Sequence, residues 1–243
     1  MLNAMRPDQA FVDGFTGGGS VIQNVPPEYR RIANDNNRYL IAMWEKLTTT
    51  NWQPPTRIEK SFYDKVRDSW HKNDGKYEDA LIGWVGFQAS RNGRFFDGGY
   101  SSHNHKGRDY INENIRNTSK QLPFLMGVEW QCGSYECISM PKASLVYYDP
   151  PYRGTSSYTT AKDFDYDRFY DWVRQMKRDG HTVYISEYNM PGDFLLCGKR
   201  LSQTALIPPK HIRPQNDYGL FDFREMVEHI YCFSFLFCKQ EQN

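Results

Sequence analysis

The most constraining stretch of this chain lies between Ala10 and Asp35. Ala10 to Asp13 (AFVD) is a short apolar run closed by an acid, followed by Gly14, Phe15 and Thr16 and then by Gly17, Gly18, Gly19 and Ser20. The pattern predicts a strand, a glycine loop and the start of a helix through Val21 and Ile22. Arg31 to Ala33 predicts a second strand, closing with Asn34 and Asp35. Asp35 lies 22 residues after Asp13, close to the ~20-residue offset at which an acid after the second strand of a Rossmann-like unit holds ribose hydroxyls. Glycines let a ligand approach the backbone, and a helix N-terminus offers unpaired N–H groups. Two plainer readings remain open. The glycines also suit a flexible turn, and Asn34 and Asp35 also suit the cap of the next helix, whose face is Leu40, Met43, Trp44 and Leu47.

From Thr48 the texture changes. TTTNWQPP reads as a linker, and up to about Phe124 charges, glycines and aromatics alternate without sustained periodicity, as in an inserted module of mixed structure. Between Trp84 and Arg108 this module carries Arg91, Arg94, Lys106 and Arg108 against only Asp97, interleaved with Phe87, Phe95, Phe96 and Tyr100. Basic side chains for phosphates beside aromatics for bases are what a nucleic-acid surface needs, although an ordinary solvated loop has the same composition. His103 and His105 are spaced as a pair of metal ligands but lack an evident third, so they read as surface residues. The second half returns to alternating strand and helix. Val128 to Cys132, Leu145 to Tyr148 and His181 to Ser186 predict strands, and Tyr166 to Arg178 predicts a helix with Phe169, Trp172, Val173 and Met176 on one face.

Directly after the strand LVYY come Asp149, Pro150, Pro151 and Tyr152. Two prolines fix the backbone where a strand ends, which directs the acid, the Pro150 carbonyl and the tyrosine ring into the cleft at the strand's carboxyl end. An exocyclic amine on a heteroaromatic ring is a poor nucleophile because its lone pair is delocalised. A carboxylate and a carbonyl that accept its two hydrogens pull the nitrogen toward a tetrahedral state and free that pair. Tyr152 would stack on the ring, which must first leave the duplex.

DPPY preceded by FVDGFTGGGS resembles the signature pair of amino-group DNA methyltransferases, and more closely the DNA adenine methylases of bacteria and their phages. The resemblance runs from Phe11 to about Phe194, through FVDGFTGGGS, IANDNN, NGRFFDGGY, QCGSY, YYDPPYRGT and HTVYISEYN. The order, glycine loop before recognition insert before DPPY, is that of the family's alpha group. The resemblance implies an α/β, Rossmann-like S-adenosyl-L-methionine-dependent methyltransferase core from residues 1–51 and 126–194, with a target-recognition insert at 52–125. It implies that Phe15, Gly17, Gly18 and Gly19 face S-adenosyl-L-methionine, with Asp13 in the same strand-end loop and Asp35 on the ribose. Ser134 and Tyr135 stand where many relatives place an acid near the cofactor's adenine. Asp149, Pro150, Pro151 and Tyr152 would bind and activate the target adenine for direct transfer to N6, with no metal. Arg91, Arg94, Tyr100 and Arg108 are the candidates for contacts to double-stranded DNA. The expected setting is a monomeric enzyme in the bacterial cytoplasm or a phage-infected host, in a restriction-modification or anti-restriction role.

Two departures accompany the resemblance. Relatives begin about one strand-turn-helix earlier, with a Tyr-x-Gly-Ser-Lys-like element, so the chain reads as N-terminally truncated with weakened cofactor affinity. After Phe194 the family-like Cys-Val-Trp-Glu-Lys continuation is replaced by LLCGKRLSQTAL. Residues 195–243 therefore read either as a frameshifted tail, a hypothesis that the coding DNA decides, or as a divergent terminal helix.

Composition excludes other classes. Thirty Lys+Arg against 29 Asp+Glu leave a net charge of +1, so a polyanion must be met by a local patch. The longest apolar stretch, Ile230 to Cys238, is about half of the ~20 residues that a membrane helix needs. The N-terminus lacks signal-peptide regions, so no membrane partner is expected. Five cysteines without a Cys-x-x-Cys pair predict reduced thiols and no zinc. Three competing functions are an inactive remnant that still binds DNA, a methyltransferase acting on RNA adenine or protein glutamine, and a dinucleotide-dependent oxidoreductase. The last leaves DPPY unexplained.

Overall fold

The computed structural model describes residues 5–101, 107–153, 163–201 and 227–232. Its centre is a sheet of β1 (Phe11–Asp13), β2 (Arg31–Asp35), β3 (Glu129–Cys132), β4 (Leu145–Tyr148), β5 (Thr182–Glu187), β6 (Leu195–Leu201) and β7 (Val227–Cys232). Their order is β3-β2-β1-β4-β5-β7-β6. The first five are parallel; β7 pairs antiparallel with both β5 and β6. The expected Rossmann-like α/β class is thus borne out. Every side chain of β1 and β4 is buried, which is why FVD and LVYY run apolar instead of alternating: a parallel sheet is covered on both faces.

Two apolar clusters cover those faces. One joins Phe11, Ala33, Leu145 and Tyr147 to helices α1 (Arg38–Thr49), α2 (Lys60–Lys72), α3 (Asp79–Gln88) and α4 (Tyr110–Leu125). The other joins Val12, Ile32, Val146, Tyr148, Val183 and Ile185 to α5 (Tyr166–Arg178). Helix α1 starts at Asn37, whose side-chain oxygen accepts the N–H groups of Tyr39 and Leu40 at 3.1 and 3.3 Å. It buries the predicted Leu40, Met43, Trp44 and Leu47. Helix α5 starts at Asp165 and buries Phe169, Val173 and Met176, while Trp172 is half-buried.

The described part of residues 52–125 is helical, where mixed structure was expected. Helix α3 shows no period because it is buried nearly all round, and a helix covered on every side has no polar stripe to mark its turns. At Gly83 an added Cβ would lie 2.0 Å from the Tyr39 carbonyl oxygen, so only glycine allows α3 this close to α1. Behind the sheet, buried Arg31 donates to the carbonyls of Phe124, at 2.7 Å, and of Met126, fastening the end of α4 to β2. The helix expected through Val21 and Ile22 is instead the single 3-10 turn Ile22–Asn24. Pro26 and Pro27 follow at once, and neither can donate the N–H a continuing helix needs. Residues 195–201 and 227–232, within the segment set apart as a tail, form the outer antiparallel pair. His103, His105 and Lys106 lie outside the described residues. Cys132 and Cys137 are free thiols as expected, but Cys197 is disulfide-bonded.

Candidate functional site

Strand order reverses between β1 and β4, and a crevice opens outside the carboxyl ends of strands at such a switch point. Here it is a cleft of about 1710 Å³, larger than the ~300–1,000 Å³ of a single small-molecule pocket. One wall is built from four strand ends. Gly14, Phe15, Gly17 and Gly18 follow β1; Asp35 closes β2; Ser134 and Tyr135 follow β3; Asp149 to Tyr152 follow β4. The rest of the lining includes residues of α3, α4 and the turn between them, among them Arg91, Asn92, Asn117 and Gln121.

Backbone and side-chain ties hold the glycine loop open. The Gly14 N–H donates to the Tyr147 carbonyl at 2.9 Å, and that of Thr16 to the Asn34 carbonyl at 2.9 Å. Gly17 takes a left-handed φ of +46°, and an added Cβ there meets nothing within 4 Å, so its bare backbone faces the cleft. Its N–H donates to Asp35 Oδ2 at 3.1 Å, its carbonyl accepts Trp44 Nε1–H at 3.1 Å, and the Gly18 carbonyl accepts from Gln121 Nε2 at 2.8 Å. Gly14 meets a different constraint: a Cβ would lie 2.2 Å from the ring of Tyr148. Phe15 packs on Tyr135 and Tyr148 at centroid distances of 5.7 and 5.8 Å.

Carboxyl groups concentrate at this end of the sheet. Asp13 is 1% exposed, and its pKa is pushed up to about 8 by burial, then by the negative charge of Asp149, with Thr16 opposing. Burial also raises Asp35, against the N–H groups of Asn37, Gly17 and Asn36. Tyr135 is pushed up to about 12 by burial. Asp149 is open to the cleft, Pro150 is buried, and Tyr152 meets Tyr188 edge-on at 4.7 Å and 73°.

The expected site residues thus divide. Phe15, Gly17, Gly18, Asp35, Ser134, Tyr135, Asp149, Pro150, Pro151, Tyr152 and Arg91 share the cleft. Asp13 lies behind its lining, and Gly19 packs toward Gln121 and Leu125. Tyr100 is half-buried and donates its hydroxyl to the Ile58 carbonyl at 2.8 Å, so its ring serves the helical packing. Arg108 pairs with Glu113 at 2.7 and 2.6 Å, and neither it nor Arg94 lines the cleft. Sequence reasoning missed Asn34, 2% exposed, whose amide donates to the carbonyls of Gly14 and Gly133 at 3.2 and 3.0 Å, tying two loops together. It also missed Gln121, Glu187 and Tyr188. Among the described residues no group of three or more His, Cys, Asp or Glu side chains is placed to hold a metal ion, and no helix is long and apolar enough to cross a membrane.

Residues 2–78 match the family model of D12 class N6 adenine-specific DNA methyltransferases, which bears out the resemblance over the glycine loop and Asp35. No curated protein matches the chain. Among solved structures the chain is similar to the rRNA methyltransferase aviRa from Streptomyces viridochromogenes, at 10% identity and a TM-score of 0.36, covering 84% of this chain and 77% of that one. It is also similar to SMU.472, a methyltransferase by assignment complexed with SAH, at 13% identity and a TM-score of 0.36, covering 95% of this chain and 49% of that one.

Proposed function

We propose that this chain transfers a methyl group from S-adenosyl-L-methionine to N6 of adenine in double-stranded DNA. The observation that carries the reading is the placement of Asp149-Pro150-Pro151-Tyr152 across the switch point from the glycine loop, in one cleft. The family match over residues 2–78 supports it from the cofactor side.

The strand-end wall fits that cofactor better than it fits a dinucleotide. The loop is followed by a three-residue 3-10 turn, which lacks the aligned N–H groups of a helix N-terminus that bind a pyrophosphate. The same wall carries Asp35 and Asp149, acidic side chains that favour a cation and hydroxyl donors over phosphates. Gly17 and Gly18 would lie along the methionine end, Asp35 would take the ribose hydroxyls, and Phe15 and Tyr135 would flank the adenine. When bound, the cofactor supplies a methyl group on a sulfonium leaving group.

The chain's own part is to bind and orient the amine. Asp149 accepts one N6 hydrogen and the Pro150 carbonyl the other, and Tyr152 stacks on the extruded ring, which left the duplex at about a few kcal/mol. Held in line, the amine attacks without further loss of orientational freedom, and Asp149 is the carboxylate that receives the departing proton. Arg91 in the cleft lining, with Arg94, would meet phosphates. The setting is the bacterial cytoplasm or a phage-infected host, in a restriction-modification or anti-restriction role.

Labelled methyl transfer to unmethylated duplex DNA, with the product digested to nucleosides, tests the reading. The expected result is label in N6-methyladenine that vanishes in Asp149→Ala. Folded wild-type protein that yields no label, or label that survives in Asp149→Ala, overturns it.

A further inference from the structure

We propose that Glu187 is a positioning residue that sets the pose of the Asp149–Tyr152 turn by tying the end of β5 to it. The inference deepens the reaction proposed above, but the tie itself rests on geometry. Tyr148 is in register with Ile185, so β5 continues past the end of β4 and runs beside the turn. Glu187 closes β5 with 1% exposure. Its Oε2 accepts the Arg153 N–H at 3.2 Å and its Oε1 accepts the Tyr188 N–H at 2.7 Å. One carboxylate thus bridges its own loop and a residue 34 positions earlier in the chain. The Tyr188 ring adds a second contact, edge-on to Tyr152 at 4.7 Å. The backbone just after the turn and the aromatic ring that ends it are therefore both held from β5.

The holding side is itself fixed. Arg174 of α5 grips Asp193 with two bonds of 2.7 and 3.0 Å and lies over the Phe194 ring at 5.5 Å. Phe194 is 5% exposed and packs on Tyr170 at 5.9 Å. The loop carrying Tyr188 is thus pinned at its far end to a helix with a buried face. Rigid positioning of this kind is what an in-line transfer needs, because a misplaced reacting group loses rate steeply with distance.

The residue type matches the task. Burial raises the pKa of Glu187, against the N–H groups of Tyr188, Arg153 and Asn189, so a carboxylate here is tolerated only with its acceptors filled. Glutamine keeps one acceptor oxygen, which the shorter 2.7 Å bond from the adjacent Tyr188 N–H retains, so its NH2 donor faces the Arg153 N–H and that loop is released. If Glu187 merely satisfied its own turn, changing it would leave the Arg153 backbone untouched.

The test uses the full chain and Glu187→Gln. Amide exchange at Arg153 should accelerate about 10-fold or more, as expected for loss of a bond to a charged group, with exchange at Val146 and Tyr147 unchanged. In methyl transfer to DNA, kcat should fall about 10- to 100-fold, while cofactor affinity by calorimetry stays within about twofold. Glu187→Asp keeps the charge but is a methylene shorter, and should give the same signature if the amide variant does not fold. Unchanged exchange at Arg153, faster exchange with full kcat, or cofactor affinity falling in step with kcat would each overturn the proposal. A wild-type chain that transfers no methyl defeats the reaction reading instead, and exchange at Arg153 then decides the tie by itself.

Discussion

Replacing Asp13 by Asn should remove a pH dependence that the wild-type chain carries. Asp13 ends β1 with 1% exposure. Its Oδ1 has no hydrogen-bond partner among the described residues, and its Oδ2 accepts a long 3.4 Å bond from the Thr16 hydroxyl. Burial, reinforced by Asp149, raises its pKa from 3.8 to about 8. The folded chain therefore holds Asp13 as a neutral acid near pH 7, whereas the unfolded chain ionises it near its ordinary value. Between those two values the folded state keeps a proton that the unfolded state has released, so stability falls as pH rises. Below 3.8 both states are protonated and above about 8 both are ionised, and the slope disappears. The slope is about 1.4 kcal/mol per pH unit, or about 3 kcal/mol between pH 5 and pH 7. Asparagine has nearly the same shape, can still accept the Thr16 hydroxyl, and does not titrate. Asp35 and Glu187 are also raised, but they are present in both proteins and cancel in the difference. Urea unfolding at pH 5, 6 and 7, followed by tryptophan fluorescence, should show Asp13→Asn gaining about 3 kcal/mol on wild type across that range. Parallel pH profiles would mean that Asp13 is ionised in the fold and would refute the reasoning.

Gly14→Ala would place a Cβ 2.2 Å from the Tyr148 ring, whose hydroxyl accepts Trp172 Nε1–H at 3.1 Å. Overpacking should cost about 1–3 kcal/mol in thermal or urea unfolding. Asp35→Ala removes the acceptor of the Gly17 and Asn37 N–H groups and should weaken S-adenosyl-L-methionine binding by about 10-fold or more in calorimetry, as loss of a charged acceptor implies. Tyr100→Phe loses the bond to Ile58 and should cost about 1 kcal/mol of stability without changing DNA affinity. Arg91→Ala should do the reverse, leaving stability alone and lowering the salt slope of DNA binding by about 1.

What was legible in the sequence was local. The run LVYY followed by Asp149, Pro150, Pro151 and Tyr152 carries its own geometry, because apolar residues make a buried parallel strand and two prolines end it. Asp13 and Asp35 are equally local, each closing a strand. Two of the misreadings share one cause, a partner distant in sequence. Tyr100 resembled a stacking platform because nothing nearby reveals that its hydroxyl meets Ile58, 42 residues earlier. Helix α3 lost its period because α1 lies against the backbone of Gly83, and no short window contains both. The helix after the glycine loop is a different case, since Pro26 and Pro27 in the local sequence already forbid its continuation. Asn34 and Glu187 fall between these extremes. Glu187 closes a strand as Asp13 does and Asn34 stands one residue before the end of β2, but their hydrogen bonds cross to Arg153 and Gly133, 34 and 99 residues away. A polar residue ending an otherwise buried parallel strand has few ways to be satisfied. Either it meets a ligand, as proposed for Asp35, or it ties the next loop of the cleft to its own, and those ties hold the reacting groups in place.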